Sequence, residues 1–354
     1  MRRCKAHGWH MTSRQNASTT SSTTSSATAA AAPLHVIAGA GQIGPMIAER
    51  LVARGFRVRM IRRGAFTEAL AGVETVSAQV ADPAAAAEAM RGASVVYHCA
   101  NPRYHRWAEE LLPLTRGITE GAARNGARLV ALDNLYMYGR PADGRLAEDT
   151  AIAPVSRKGA LRVLAAKVML DAHARGDVPV AIGRAADFFG PNCTNSVLGE
   201  RFWSKLCAGR PVELLGDPDQ PHTYSYGPDV ADALVTLGLA DPTRSSGVDA
   251  YGRVWHLPAH PAESTLTWVT RFAHAVGVEP RFTRLSPFLL RIAGLFIPEA
   301  GELREMIYQW RGPFVLDDSQ FRSRFGAVPT PLGSAVADTV AWARRRYAGA
   351  TGAA

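Results

Sequence analysis

Three glycines and two arginines carry the plainest chemistry in this chain. They are Gly39, Gly41 and Gly44 in the run Gly39-Ala40-Gly41-Gln42-Ile43-Gly44, and the pair Arg62-Arg63 downstream. At that spacing the first glycine makes a tight turn and the second lets a pyrophosphate approach the backbone. The third lets a helix pack closely on a strand, and the helix start around Gln42 and Ile43 offers unpaired N–H groups to the anion. An acid at the end of the next strand would take the ribose 2′-hydroxyl of NAD, whereas an arginine accommodates a 2′-phosphate. Here Arg62-Arg63-Gly64 stands in that place, with no acid before Glu68. The pattern points to NADP(H), with NAD(H) the alternative if both arginines face water.

These residues need a strand, a turn and a helix to position them, and the sequence supplies all three. Leu34 to Ala38 is a short apolar run, Ile43, Ile47, Leu51 and Val52 follow with helical spacing, and Arg57 to Ile61 reads as a second strand. The alternation continues with strands at Val73 to Ser77, Ala93 to Cys99, Arg128 to Leu132 and Val178 to Arg184. Helices fall at Pro83 to Arg91, Tyr104 to Asn125 and Ser156 to Arg175. Strands alternating with helices specify an α/β fold, a Rossmann-type doubly wound parallel sheet with ligands at the carboxyl ends of its strands. From Gly190 the pattern loosens into Pro, Gly and aromatic clusters. Helices are predicted at Val197 to Ala208, Pro228 to Leu239, Ser264 to Val276, Ser286 to Gln309 and Leu332 to Tyr347, forming a smaller C-terminal substrate lobe. The division read here is a disordered tail over 1–33, a nucleotide-binding domain over 34–190, a substrate lobe over 191–347 with a chain return to the sheet, and a flexible end over 348–354.

Composition narrows the function classes. The formal charge is +9, but residues 1 to 35 carry four basic residues and no acid, and Arg344, Arg345 and Arg346 add three more. The body is then nearly neutral, which does not read as a nucleic-acid surface. Cys4, Cys99, Cys193 and Cys207 have no paired spacing, so neither a metal site nor a disulfide framework is indicated and a reducing compartment is expected. No apolar run is long enough for a membrane span, and Phe288 to Ile297, interrupted by Arg291, reads as a packed helix. Cytoplasmic location is the expectation. The alternative is an organelle, since the acid-free, Arg- and Ser-containing start resembles a transit peptide, with Met11 as a competing start.

Further landmarks carry a family resemblance. They are Ala81-Asp82, Val96-Tyr97-His98-Cys99-Ala100, Tyr136-Met137-Tyr138-Gly139, Gly183-Arg184 through Gly190-Pro191, and Tyr226-Gly227-Pro228-Asp229-Val230-Ala231. Val315-Leu316-Asp317, Phe325-Gly326 and Pro331-Leu332 complete the set. With the glycine turn, they make the chain resemble the NAD-dependent epimerase/dehydratase family, the extended short-chain dehydrogenase/reductases, over most of 34–345. The resemblance implies that Asp82 lies near the adenine and that Cys99, Ala100 and Asn101 line the dinucleotide. For Asp82 a helix N-cap before Pro83 is the equal alternative. The resemblance also implies a homodimer through residues 104–125 and 156–175.

The catalytic motif departs from that family, whose members use a tyrosine and a lysine four residues later. Anchored on Pro154-x-Ser156, Lys158 stands where the tyrosine belongs and Arg162 where the lysine belongs, and Asn134 replaces the usual serine or threonine. Three readings stay open. Lys158 is the acid/base, its pKa lowered by Arg162 and partial burial, with Asn134 holding a substrate oxygen; or Tyr136 or Tyr138 supplies the proton; or nothing is catalytic, and Lys158 and Arg162 hold ribose and phosphates.

On the substrate side, Asp187 replaces an asparagine of the nucleotide-sugar enzymes, and a carboxylate facing a diphosphate repels it unless protonated or paired. Phe188, Phe189, Phe202, Trp203, Tyr224 and Tyr226 are expected to wall the pocket. The function these residues favour is an NADP(H)-dependent oxidoreductase acting on a small carbonyl or alcohol. The alternatives are a sugar-type epimerase/dehydratase and a non-catalytic NADP(H)-binding regulatory module.

Overall fold

The computed structural model describes residues 32–66, 70–241, 250–285, 302 and 304–347. Seven parallel strands form the central sheet: β1 (Leu34–Ala38), β2 (Arg57–Arg62), β3 (Val73–Ser77), β4 (Ala93–His98), β5 (Arg128–Asp133), β6 (Val180–Arg184) and β7 (Arg253–His256). Their order is β7-β6-β5-β4-β1-β2-β3, with every neighbouring pair parallel. The order reverses between β1 and β4, and a doubly wound sheet opens its ligand crevice at such a reversal. The register keeps the carboxyl ends level there, since Ala38 pairs with Ile61 on one side and His98 on the other. All five residues of β1 are buried, as a strand covered on both faces requires.

Helices α1 (Gly44–Ala53), α2 (Pro83–Ala89), α3 (Trp107–Arg124), α4 (Arg157–Ala174), α5 (Glu200–Cys207), α6 (Gly227–Leu239), α7 (Thr265–Val276), α8 (Ser319–Phe325) and α9 (Leu332–Tyr347) follow in chain order. One face of the sheet packs Ile37, Met60 and Tyr97 against Ile47 and Leu51 of α1 and Leu234 of α6. The other packs Val36, Val96 and Ile182 against Ile118 of α3 and Met169 of α4. Local signals set several helix starts. Ser156 accepts from the Gly159 N–H at α4, Ser264 from the Thr267 N–H at α7, and Asp82 from the Ala85 N–H at α2.

A separate aromatic core of Phe189, Trp203, Tyr224, Trp268, Phe272 and Trp342 joins α5, α7 and α9 into the C-terminal lobe. Each such ring, fully buried, contributes about 2–3 kcal/mol. The chain does not stay in that lobe, because α6 returns to pack on α1 and β7 pairs with β6 at the sheet edge. The tail through residue 31, the predicted helix from Ser286 as far as Gly301, the segment Phe288 to Ile297, and 348–354 lie outside the described residues; the end of that predicted helix is a 3-10 turn, Ile307–Trp310. Among the described residues no helix is long and apolar enough to cross a membrane, no cluster of potential metal ligands occurs, and Cys99, Cys193 and Cys207 are free thiols.

Candidate active site

A cavity of about 860 Å³ runs along the carboxyl edge of the sheet. One end is the glycine turn, where Gly39, Gly41, Gln42 and Ile43 line the wall, and the opposite side is built from Cys99, Ala100 and Asn101 after β4. Gly39 has φ +122°, and an added Cβ would lie 2.5 Å from the Ala100 nitrogen, so β1 and β4 close on each other only with glycine here. A Cβ on Gly41 would meet no protein atom, which leaves open space against the backbone on the cavity side. Helix α1 starts at Ile43 without a side-chain cap, so its first N–H groups have no intrahelical or side-chain partner. A dinucleotide pyrophosphate fits these residues. Cys99 is not a nucleophile of the site, since burial pushes its thiol up to about 12.

Arg62 and Arg63 both line the same end of the cavity. The Arg62 guanidinium lies 5.6 Å from the Phe66 ring centre, and Arg63 donates to Glu110 of α3 at 2.9 Å. Of the two roles expected for Asp82, the structure shows the helix cap. Its carboxylate is used as the α2 cap, at 2.7 Å from the Ala85 nitrogen, and Gln79, Val80 and Ala81 line the cavity in its stead.

At the middle of the cavity Asn134 and Tyr136 come together after β5. The Asn134 side-chain oxygen accepts from the Tyr136 N–H at 3.1 Å, an Asx turn that leaves its amide nitrogen for a ligand. The Tyr136 hydroxyl hydrogen-bonds with Tyr104, which reaches in from the 3-10 turn Tyr104–Arg106 before α3. Both phenols are raised well above the ordinary tyrosine range, Tyr136 by burial and then by the nearby Asp187 carboxylate, Tyr104 by burial and then by Tyr136. Both therefore keep their protons at neutral pH and can act as hydrogen-bond donors. Arg162 lies beneath them, donating to Asn101 at 2.9 Å, 3.5 Å from Asp133, and 4.2 Å from the Trp107 ring centre. It ties the loop after β4 to the end of β5.

Lys158 does not line the cavity. It is buried behind Tyr104, its ammonium 4.4 Å from that ring centre, and it pairs with Glu302 and with Glu305. Its pKa is lowered first by burial, as expected, opposed by Glu305 and assisted by Arg157, whereas Arg162, the other expected cause, is not among them. Tyr138 is also turned away. Its hydroxyl accepts from Arg184 at 2.7 Å and so donates to His256 Nε2 at 2.7 Å, while His256 Nδ1 donates to the Asp317 carbonyl at 3.1 Å. His256, pushed down to about 4 by burial and then by Arg184, is neutral and can serve as that acceptor.

The far half of the cavity enters the C-terminal lobe, lined by Asp187, Phe188, Phe202, Glu213, Leu215 and Trp310. Asp187 accepts from His222 Nε2 at 2.8 Å, and the other ring nitrogen lies 3.3 Å from the Gln309 carbonyl oxygen. The imidazole stacks between Trp310 at 5.0 Å and Phe314 at 5.3 Å. Phe188 and Phe202 wall the cavity as expected, but Phe189, Trp203, Tyr224 and Tyr226 do not. They are buried in the lobe's aromatic core, where covering their rings outweighs exposing them to a pocket.

The model of the NAD-dependent epimerase/dehydratase family matches residues 35–246. The chain belongs to that family. Solved structures share its fold: MoeE5 in complex with UDP-glucose and NAD superposes with a TM-score of 0.68 at 23% identity, covering 89% of this chain and 99% of that one. UDP-glucuronic acid 4-epimerase from Bacillus cereus, in complex with UDP-glucuronic acid and NAD, gives 0.71 at 15% identity, covering 89% and 100%. Epimerase Mth375 from Methanothermobacter thermautotrophicus gives 0.74 at 14% identity, covering 90% and 94%. A search of curated proteins finds no match.

Within this family frame, sequence reading missed Tyr104, Trp107, His222 and Trp310. Tyr104 and Trp107 were findable as aromatics just after a strand end, where cofactor-proximal loops start. His222 had no local signal, because its partner Asp187 is 35 residues away and the two meet only when the C-terminal lobe folds back.

Proposed function

We propose that this family member carries out sugar-type epimerase or dehydratase chemistry with a nicotinamide dinucleotide, NADP(H) being favoured over NAD(H). The observation that carries the proposal is the length of the cavity, which runs from the glycine turn past Asn134 and Tyr136 into the C-terminal lobe as far as Leu215 and Trp310. That is more room than a small carbonyl needs beside a dinucleotide, and it supports an elongated polar substrate. The Asp187 carboxylate, a reason to doubt a phosphorylated substrate, accepts a hydrogen bond from His222 and so does not stand unpaired in the cavity.

A bound nicotinamide supplies and accepts hydride; the chain's own groups position the substrate and handle its proton. In this reading the Asn134 amide nitrogen and the Tyr136 hydroxyl face the substrate oxygen, Tyr136 is the proton donor, and Tyr104 hydrogen-bonds behind it. Arg162 holds Asn101 in place. Lys158 is structural, balancing Glu302 and Glu305.

The first experiment is to purify the protein, release and quantify its retained nucleotide, and assay a panel of sugar and small carbonyl substrates. Isomerised or dehydrated product without net cofactor turnover is expected. Stoichiometric NADPH consumption with a small carbonyl would instead establish the oxidoreductase reading. On the substrate so found, Tyr136→Phe is expected to lower kcat about 100-fold while leaving nucleotide affinity unchanged. Lys158→Ala is expected to cost about 2 kcal/mol of stability, read by urea unfolding, because two carboxylates lose their cation. A stable Lys158→Ala protein without turnover would return Lys158 to the chemistry.

A further inference from the structure

The dinucleotide end of the cavity contains an acid on the wall opposite the two arginines. Glu110 sits in the first turn of α3, and it lines the cavity together with Glu109, Arg62 and Arg63. Its two carboxylate oxygens are divided between two cations. Oε2 accepts from Arg63 at 2.9 Å, and Oε1 lies 3.1 Å from Arg106 Nη2, a nitrogen also 3.0 Å from Glu109. The Arg63–Glu110 pair therefore connects the end of β2 to the start of α3 across this end of the cavity.

We propose that Glu110 is a specificity-determining residue that weakens NADP(H) relative to NAD(H) by competing with the 2′-phosphate for Arg63. The inference rests on the reading of Arg62 and Arg63 as the 2′-phosphate site. Arg63 is about half exposed and Glu110 about a quarter, so the pair itself contributes little to stability and can be exchanged. A phosphate dianion bonds a guanidinium more strongly than a carboxylate does, and it takes Arg63 when it arrives. Arg106 keeps hold of Glu110 after that exchange, so the carboxylate stays close to the incoming phosphate and repels it. The ribose 2′-hydroxyl of NAD(H) neither needs Arg63 nor suffers that repulsion. Glu109 serves as an internal control, since it lines the same cavity and pairs with Arg106 but not with Arg63.

Titration calorimetry with NADPH and NADH tests this on the full chain and the variants Glu110→Gln, Glu109→Gln, Arg63→Gln and the double variant Arg63→Gln/Glu110→Gln. Glu110→Gln is expected to tighten NADPH about five- to tenfold and NADH by less than about twofold, with Glu109→Gln near neutral. In the Arg63→Gln background the gain from Glu110→Gln should shrink to the part that comes from relieved repulsion, because the competition for Arg63 is gone. If Arg63→Gln weakens NADPH but Glu110→Gln changes nothing, or tightens both nucleotides equally, the competition is overturned while the 2′-phosphate reading survives. If Arg63→Gln leaves NADPH affinity unchanged, the 2′-phosphate reading itself falls.

Discussion

Gly44→Ala will unfold the dinucleotide turn, whereas Gly41→Ala will leave the fold intact and remove nucleotide binding alone. The two glycines differ in what a methyl group would meet. On Gly44 a Cβ would lie 2.0 Å from the Gly39 carbonyl oxygen and 3.3 Å from Ile37 Cγ2. Neither neighbour can give way. Gly39 is held by its N–H bond to Ile61 at 2.9 Å and by its φ of +122°, and Ile37 is fully buried in β1. A loss of about 3 kcal/mol is expected for overpacking against backbone. On Gly41 the Cβ would meet nothing within 4 Å, so the melting temperature should hold. The methyl would instead occupy the space where a pyrophosphate approaches, at a cost of about 100-fold in affinity for NADPH and NADH alike. Calorimetry beside thermal melts separates the two effects. Undiminished binding by Gly41→Ala would mean that the turn does not hold the pyrophosphate.

The second large effect is with pH. Three buried histidines are neutral in the folded protein, each because burial disfavours the imidazolium. His35 is pushed down to about 4 by burial and then Arg128, His98 to about 3 by burial and then Arg162, and His256 to about 4 by burial and then Arg184. In the unfolded chain they titrate near 6.5, so between that value and 3–4 the unfolded state binds more protons than the native state. The linkage slope is then positive with pH: their stabilisation is full above 6.5 and is lost as the pH falls through the folded values. Over the whole window the loss is roughly 3 kcal/mol each for His35 and His256 and roughly 5 for His98. Glu148, Asp229 and Asp318 work in the opposite direction, since burial raises each and they take up protons in the folded state first. The histidines dominate, and a urea midpoint measured at pH 7, 5.5 and 4.5 should fall steadily. A midpoint that stays level over that range would mean these rings are hydrated or charged in the fold.

The nucleotide end of the molecule was legible in the sequence because its chemistry is local. The glycines, the strand before them and the helix after them lie within one short stretch, and the period-2 and 3.6 patterns around them fixed the α/β fold and placed α4 and α9 within a residue, while α3 starts three residues later than read, after a 3-10 turn. Arg62 and Arg63 needed only the end of the next strand. The same local reading put Asp82 at a helix start, and there the cap took the carboxylate that family resemblance had lent to the adenine.

The proton-handling and substrate parts were not local, and spacing alone misplaced them. Spacing from Pro154-x-Ser156 assigned Lys158 to the tyrosine's position along α4, yet Glu302 and Glu305, far away in sequence, draw its ammonium behind Tyr104. Phe189 and Tyr224 alternate toward the lobe's core because three tryptophans and Phe272 gather there, an apolar demand no single segment reveals. Asp187 reads as an unpaired carboxylate until the folding of the C-terminal lobe brings His222 to it between Trp310 and Phe314. By itself, then, the amino-acid sequence determined six of the sheet's seven strands, the glycine turn and the arginines beside it, since hydrophobic period and backbone sterics act over a few residues, while the edge strand Arg253–His256 was not read. Only the tertiary structure decided which phenol, carboxylate and cation meet in the cavity, because burial and charge pairing are set by partners that the chain brings together from far apart.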